Sequence, residues 1–436
     1  MAGILIATAW CAFFIFVIRR WRFFNVRALD KRLLPGIFVL KVLVGTFFWW
    51  IYTYHYTDRF TADIFKYFDD GNVLFSALPQ HPGDYFRMVF GIGNDTPYFD
   101  SHYYVHMNHW SRQWDTGYYN DAHTMIRYSA LVRLFSFGHY HVHTVFACFF
   151  ALVGLMAMYR AFASVLPGGG VWLAAGVFLW PSILFWGSAP IKEALLFFGL
   201  GLFVLGASGF ARGRTGPKEF ALLGAGLFIQ LILKSYVLAC LLPALAAYAW
   251  SRGGTPRSTL LKFTVAYGAA TALLLALPLV HPGWDVLGLI AQKRRDMLGV
   301  VSLTDPGSYI PFPPLANGPI GFLLDIPHAL YLTFLSPFQT WHIGAMGLIG
   351  AAENLVMLAL VPVAILWAKP WRQINIPLVL LCAGFCLALG LLVGWTTPVV
   401  GALLRYRVPL LPFWSLAVLA VIDIEKLPRW NLRRIR

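Results

Sequence analysis

Long apolar runs separated by short polar breaks set the pattern of this chain. Runs at 3–18, 33–57, 142–163, 171–187, 190–210, 219–233, 236–250, 262–280, 343–368, 374–394 and 408–424 predict about eleven membrane-spanning helices, because roughly 20 apolar residues cross a hydrocarbon core of about 30 Å. The runs at 219–233 and 236–250 are short for that length and also fit one helical hairpin that does not fully cross. Two long segments interrupt the pattern, 58–141 and 281–328. The first is rich in aromatics, Asp and His. The second holds "DPGSYIPFPPLANGP", whose Pro and Gly predict irregular backbone. Within the first, Met125, Ile126, Leu131, Val132, Leu134 and Phe135 stand against Arg127 and Arg133, which predicts an interfacial helix lying on the membrane. The expected fold class is all-α: a polytopic transmembrane helical bundle forming one integral-membrane domain over 1–436. Segment 58–141 is the large extracytoplasmic loop, with short interfacial helices, and 281–328 the second. No internal repeat is visible.

Composition removes the soluble alternatives. The chain is 59% hydrophobic and 12% charged, against about 25% charged residues in soluble domains. Its 17 Trp, 19 Tyr and 36 Phe suit the aromatic belts of bilayer interfaces. A net charge of +15 on a soluble chain would suggest nucleic acid. Here 20 of the 34 Lys and Arg fall on one side of an eleven-span topology, in clusters at 19–32, 212–218, 252–262, 369–372 and from Lys426, with Arg160. The positive-inside rule makes that side cytoplasmic, with the N-terminus outside, the C-terminus inside and no nucleic-acid partner. Fourteen of the 19 acidic residues fall on the opposite side. Cys11, Cys148, Cys240, Cys382 and Cys386 lie in apolar runs, which speaks against disulfides and thiolate metal sites. The first run has no basic residue before it and no small-residue cleavage site after it, so it is expected to be a span rather than a signal peptide.

The chemistry-bearing residues cluster at the edges of these runs. In "TADIFKYFDDGN", Asp63 and Asp70 are seven residues apart and share a helix face with Lys66 and Tyr67, while Asp69 points elsewhere. One carboxylate there can deprotonate an acceptor while another holds a metal or a sugar hydroxyl; a solvated juxtamembrane helix is the plainer reading. Asp115, Asn120, Asp121 and Arg127 open the amphipathic segment, with Asp121 expected as a helix N-cap and Arg127 suited to a lipid phosphate. His102, His106 and His109 have the spacing of helical zinc ligands, although an exposed polar-aromatic surface explains them as well. "FWGSAPIKEALLFFGLGLF" places Lys192 and Glu193 at a turn between apolar runs. "LILKSYVLAC" places Lys234, "AQKRRDM" Lys293, Arg294 and Arg295, and "LLRYRVPLLPF" Arg405 and Arg407, all on the outward side. Outward cations defy the positive-inside rule and suggest a grip on phosphate. Glu353, inside the ninth run, requires a partner that the sequence does not identify.

The layout resembles the GT-C class of integral-membrane glycosyltransferases, which combine many spans with a long first external loop. "DIFKYFDDG" (Asp63, Tyr67, Asp69, Asp70) is similar to the D-x-x-x-Y and D-E/D-D patterns of that class, and "WGSAPIKEALLFFGLGL" and "RYRVPLLPF" are similar to segments of bacterial members. One departure is that the acidic loop follows the second apolar run rather than the first. The resemblance implies inverting transfer of a sugar from a polyprenyl-phosphate donor to a glycan, lipid or protein acceptor at the outer face of a bacterial cytoplasmic membrane. It implies Asp63 as base or metal-assisted activator and Asp69 or Asp70 as its helper, with Asp115, Asp121 and Arg127 on the acceptor side. Lys192, Lys234, Arg405 and Arg407, with Glu193 beside Lys192, would serve the donor phosphate. A divalent cation, Mg or Mn, is the only cofactor implied. A polymerase or ligase of lipid-linked polysaccharide is the alternative, and it would lean on Arg and His. A transporter would be expected to show repeats and midplane binding residues. A non-catalytic envelope subunit is the fourth reading.

Overall fold

The computed structural model describes residues 2–111, 119–166, 168–251, 255–304, 306–315, 318–336 and 344–426. Its helices begin with α1 (Ala2–Arg20), α2 (Leu33–Tyr54), α3 (Asp63–Ser76), α4 (Pro82–Phe90), α5 (Pro97–His102), α6 (Ala122–Ser136) and α7 (Tyr140–Ala163). Next come α8 (Gly170–Phe178), α9 (Pro181–Trp186), α10 (Lys192–Ala211), α11 (Pro217–Trp250), α12 (Pro256–Val280) and α13 (Val286–Thr304). The last are α14 (Gly318–Leu324), α15 (Ile326–Leu335), α16 (Gly344–Leu366), α17 (Ile376–Thr396), α18 (Val400–Tyr406) and α19 (Leu411–Val421). Strands are absent among the described residues, where only two isolated bridges pair, Tyr309 with Val399 and Ala368 with Ile422.

Among the described residues, nine helices are long and apolar enough to cross a membrane, or ten if the bent pair α14–α15 is one span. Eleven were expected, and three local causes account for the difference. The 171–187 run is broken into α8 and α9, because Pro181 lacks an amide hydrogen and disfavours helix at the residue before it. The 219–233 and 236–250 runs are one helical run, α11, bent at Lys234, whose φ of −144° and ψ of 71° leave the helix for a single residue. The 281–328 segment is also more regular than its Pro and Gly suggest. It contains α13 and α14, and α14 continues into α15 across a 45° bend at Asp325.

The chain packs into two compact units. Unit 1 comprises Met1–Ala161 and Ile183–Ser235, within the described residues. Its centre is α7, in whose span 89% of residues are buried. Glycines let backbones touch there: a Cβ on Gly154 would collide with the Phe197 carbonyl of α10, and one on Gly201 with the Gly154 carbonyl of α7. A Cβ on Gly226 of α11 would likewise collide with the backbone of α10 at Phe203. Small residues at crossings are how membrane helices approach closely when lipid supplies no hydrophobic drive. Gly45, halfway along α2, holds the Ser188 carbonyl of the α9–α10 turn in the same way. Around this frame α3 buries Ile64, Phe65, Tyr67, Asp70, Gly71 and Leu74 on one face. A Cβ on Gly71 would stand 2.6 Å from the Ser129 Cβ of α6.

Unit 2 comprises Phe162–Ser182 and Tyr236–Asn431, within the described residues. Here α17 is central, packing on α15 and α19, with α8 and α16 also against α19. A Cβ on Gly394 of α17 would strike the Ala329 carbonyl of α15. In contrast, α12 has only 6% of its span residues buried, which leaves most of its apolar surface for lipid.

The glycine crossings can be tested directly. Gly154→Val and Gly201→Val should each abolish the monodisperse elution peak of detergent-purified protein. Gly224→Val, at an exposed position of α11 with nothing within 4 Å of the new Cβ, should elute as wild type. Three identical elution profiles would contradict backbone contact as the organising feature.

Candidate functional site

The polar residues of unit 1 gather where α3, α6, α10 and the bend of α11 meet. The three aspartates of α3 have different surroundings. Asp69 is bound by Arg59 through two hydrogen bonds of 2.8 and 2.6 Å at an exposed position. Asp70 is buried, and its two oxygens accept the backbone amides of Asn108 and His109 at 2.8 and 2.7 Å. It therefore fastens the 108–110 segment to α3. Burial pushes its pKa up, and the two amides oppose that shift. Asp63 is the first residue of α3 and is half-buried. Tyr67, one turn along, is buried with its ring 5.8 Å from that of His109.

The Lys192 ammonium stands 5.7 Å from the centre of the Tyr67 ring and 2.9 Å from an Asp121 oxygen. Asp121 does occupy the position before α6, but its side chain makes no capping hydrogen bond. Asn120 takes that role, its Oδ1 accepting the Ala122 amide at 3.1 Å. The expectation of an Asp121 N-cap is corrected accordingly. The side chains of Lys192 and Asp121 are 13% and 28% exposed, so this pair is reachable from solvent. Its neighbour in sequence, Glu193, is fully buried and accepts from the Lys234 ammonium at 2.5 Å. Lys192 and Glu193 thus pair with different residues, Asp121 just before α6 and Lys234 in α11, rather than with each other. The bend at Lys234 swings its ammonium to Glu193, while Thr124 of α6 donates to the Ile232 carbonyl at 2.9 Å.

Arg127 is engaged within the protein: it donates to the Met88 carbonyl at 2.9 Å and the Tyr119 hydroxyl at 3.0 Å, and lies 5.6 Å over the Trp110 ring. Trp110 is stacked between Tyr104 at 4.2 Å and His123 at 3.8 Å. Much of the loop's aromatic and His content builds this wall. His102 bonds locally with the Tyr98 carbonyl and Ser101. Among the described residues no three His, Cys, Asp or Glu gather to hold a metal. Neither the zinc spacing nor a Mg or Mn site therefore finds a donor set there, and no step is derived through a metal. Asp115 lies outside the described residues.

In unit 2, Arg407 is fully buried, donating to Glu353 at 2.9 Å and to the Thr333 carbonyl at 2.6 Å. Glu353 also accepts from the Ser182 amide and hydroxyl, both at 2.8 Å. The partner that Glu353 requires is thus Arg407, and this arginine faces protein rather than an open surface. Arg405 sits partly buried in α18.

The sequence reading passed over Lys41. It is fully buried in α2, and its ammonium has no hydrogen-bond partner among the described residues. A Cβ on Gly187 would lie 3.2 Å from it. The signal was present: one lysine inside "FVLKVLVG" is an intramembrane charge.

An all-helical body with this many apolar spans defines a multi-pass membrane protein. Compared with known proteins, the chain matches no family model, no curated protein and no solved structure.

Two measurements follow from the geometry. Glu193→Leu leaves the buried Lys234 without its carboxylate and should cost about 3–5 kcal/mol of stability; adding Lys234→Met should recover most of the lost melting temperature. A double variant as unstable as the single one would show that the pair is not the cause. Asp70 carries a pH signature. Its folded pKa is raised above the usual carboxylate value of 3.8, so the native state binds more protons than the unfolded one. The stability of wild type relative to Asp70→Asn should then fall as pH rises from about 3.8 through the raised value. A pH-independent difference would contradict this.

Proposed function

We propose that the protein is a membrane glycosyltransferase of the GT-C type. It moves a sugar from a polyprenyl-phosphate donor to a glycan, lipid or protein acceptor at the outer face of a bacterial cytoplasmic membrane, with the N-terminus outside and the C-terminus inside. The observation that carries this reading is the accessible Asp121–Lys192 pair, whose ammonium lies by Tyr67, itself one helical turn along α3 from Asp63. It sits just past a turn that rests against the middle of α2. A carboxylate and an ammonium recessed below a membrane surface suit a lipid-borne anion and a hydroxyl that must lose its proton.

In this reading Asp63 accepts the acceptor hydroxyl proton as the oxygen attacks the anomeric carbon. The bond to the donor phosphate breaks, and the lipid phosphate leaves with the electron pair. Lys192, oriented by Asp121, offsets the charge that develops on that phosphate. Asp70 is a positioning residue, since its oxygens are occupied by amides of the 108–110 segment. Asp69 is bound to Arg59 and takes no direct part. Arg407, paired with Glu353 inside unit 2, serves structure.

The test is sugar transfer by purified protein, supplied with mixed polyprenyl-phosphate sugars and a membrane glycolipid extract. Asp63→Asn should lower turnover by about 10²–10⁴-fold with an unchanged melting temperature, and Lys192→Met should weaken it strongly. Asp69→Asn should retain transfer. Wild-type turnover in both Asp63→Asn and Asp121→Asn would sink the proposal.

A further inference from the structure

The basic cluster at 293–295 has no place in the site above, yet its Arg294 and Arg295 line an apolar groove in unit 2. This groove lies between the C-terminal part of α12, the helix α13 and the 312–315 segment, and has a volume of about 580 Å³, within the roughly 300–1,000 Å³ of small-molecule sites. Leu274, Leu275, Leu298 and Phe312 give it apolar walls, and Arg294 and Arg295 give it positive charge. Leu274 and Leu275 are 42% and 43% exposed on a helix that faces lipid, so the groove opens sideways to an apolar chain.

The two arginines are not equivalent. Arg294 is buried, donates to Asp325 at 2.8 Å and to the Pro313 carbonyl, and lies 4.6 Å over the Phe312 ring. Its charge is balanced, and it fixes the 312–315 segment as one wall. Arg295 is exposed. Its Nε and Nη2 meet only the neutral Gln292 Oε1, at 3.2 and 2.6 Å. Among the described residues no carboxylate lies within ion-pair distance of it. Asp285 also lines the groove, where one of its oxygens accepts the Gly288 amide at 2.9 Å. The groove therefore offers an apolar trough with an exposed guanidinium at its edge that no carboxylate pairs with, Asp285 standing elsewhere in the lining, which complements an amphiphile with an anionic end.

We propose that this groove is a second seat for a polyprenyl phosphate, in addition to the donor site at Lys192, with the phosphate at Arg295 and the first part of the apolar chain along Leu274, Leu275 and Leu298. Its identity as the polyprenyl-phosphate carrier rests on the glycosyltransferase reading; the groove's charge and shape do not. A guanidinium suits phosphate because its planar donors can engage two oxygens at once.

The experiment measures binding, independently of transfer. Full-length protein in detergent is titrated with undecaprenyl phosphate, and bound lipid is counted by native mass spectrometry, with phosphatidylglycerol and inorganic phosphate as competitors. Arg295→Glu, an exposed change that leaves the Arg294–Asp325 pair intact, should weaken binding of the second lipid at least tenfold, leaving the one at Lys192. Ala291→Trp, which fills the groove, should do the same. Arg257→Glu, the same charge change at the other end of α12, should bind as wild type. Neither competitor should displace the probe at equal concentration. Wild-type binding by both groove variants would overturn the proposal. So would equal displacement by phosphatidylglycerol, which would make the groove a seat for bulk lipid, or by inorganic phosphate, which would leave the apolar walls without a role. Transfer is read in parallel, so binding without transfer would overturn the glycosyltransferase reading while leaving the groove assigned.

Discussion

The contact between Gly45 and the Ser188 carbonyl sets the geometry of unit 1. A side chain at Gly45 would push the α9–α10 turn away from α2. Without one, the turn rests halfway along a membrane-crossing helix, nine residues from its C-terminal end at Tyr54, or about 13 Å at 1.5 Å per residue. The helix that follows therefore starts recessed, carrying Lys192 and Glu193 with it. Phe48 meets the rings of Phe185 and Trp186 at the end of α9, tilted and edge-on, and Cys148 donates to the Ser188 carbonyl at 3.2 Å. The Asp121–Lys192 pair has its depth because a backbone, not a side chain, meets α2.

Charge neutralisation follows the same economy. Glu193 with Lys234, Arg407 with Glu353, and Arg294 with Asp325 each join two elements distant in sequence. A buried ion pair adds little net stability, because desolvation offsets most of the attraction, but separating it is costly. Such pairs penalise any helix register that parts them. Lys41 departs from this pattern, since its neighbours are a glycine backbone and the Cys148 thiol rather than a carboxylate.

Much of the helical layout was legible because apolar length is a strong signal. What the sequence could not convey was how breaks behave. Pro181 ended a helix where the 171–187 run looked continuous, whereas the 219–233 and 236–250 runs meet at one non-helical residue, Lys234, whose ammonium has a carboxylate on another helix. Asp325 hid a helical pair in a presumed loop because its charge is cancelled by Arg294. For the polar residues, spacing grouped Asp63, Lys66, Tyr67 and Asp70 on one face of α3 and left Asp69 off it; Tyr67 and Asp70 are buried, Asp63 and Lys66 half-buried, and Asp69 is bound by Arg59. It could not reveal that Asp70 would be occupied by backbone amides, because those amides lie 38 and 39 residues away. Arg405 and Arg407 looked alike in sequence, yet only burial and the distant Glu353 mark Arg407 as internal.

The sparse packing of α12 has a mechanical consequence. Its apolar run, 262–280, extends about 28 Å at 1.5 Å per residue, close to a hydrocarbon core of about 30 Å. A bilayer thicker or thinner than this run is met by tilt or by a local change in bilayer thickness, and with only 6% of its span residues buried, α12 is the least fixed of the spans among the described residues. Leu274, Leu275 and Pro278, on its C-terminal part, form a wall of the groove. A thicker membrane would stand this helix upright and a thinner one would lean it over, so the width of the groove is coupled to the thickness of the surrounding bilayer.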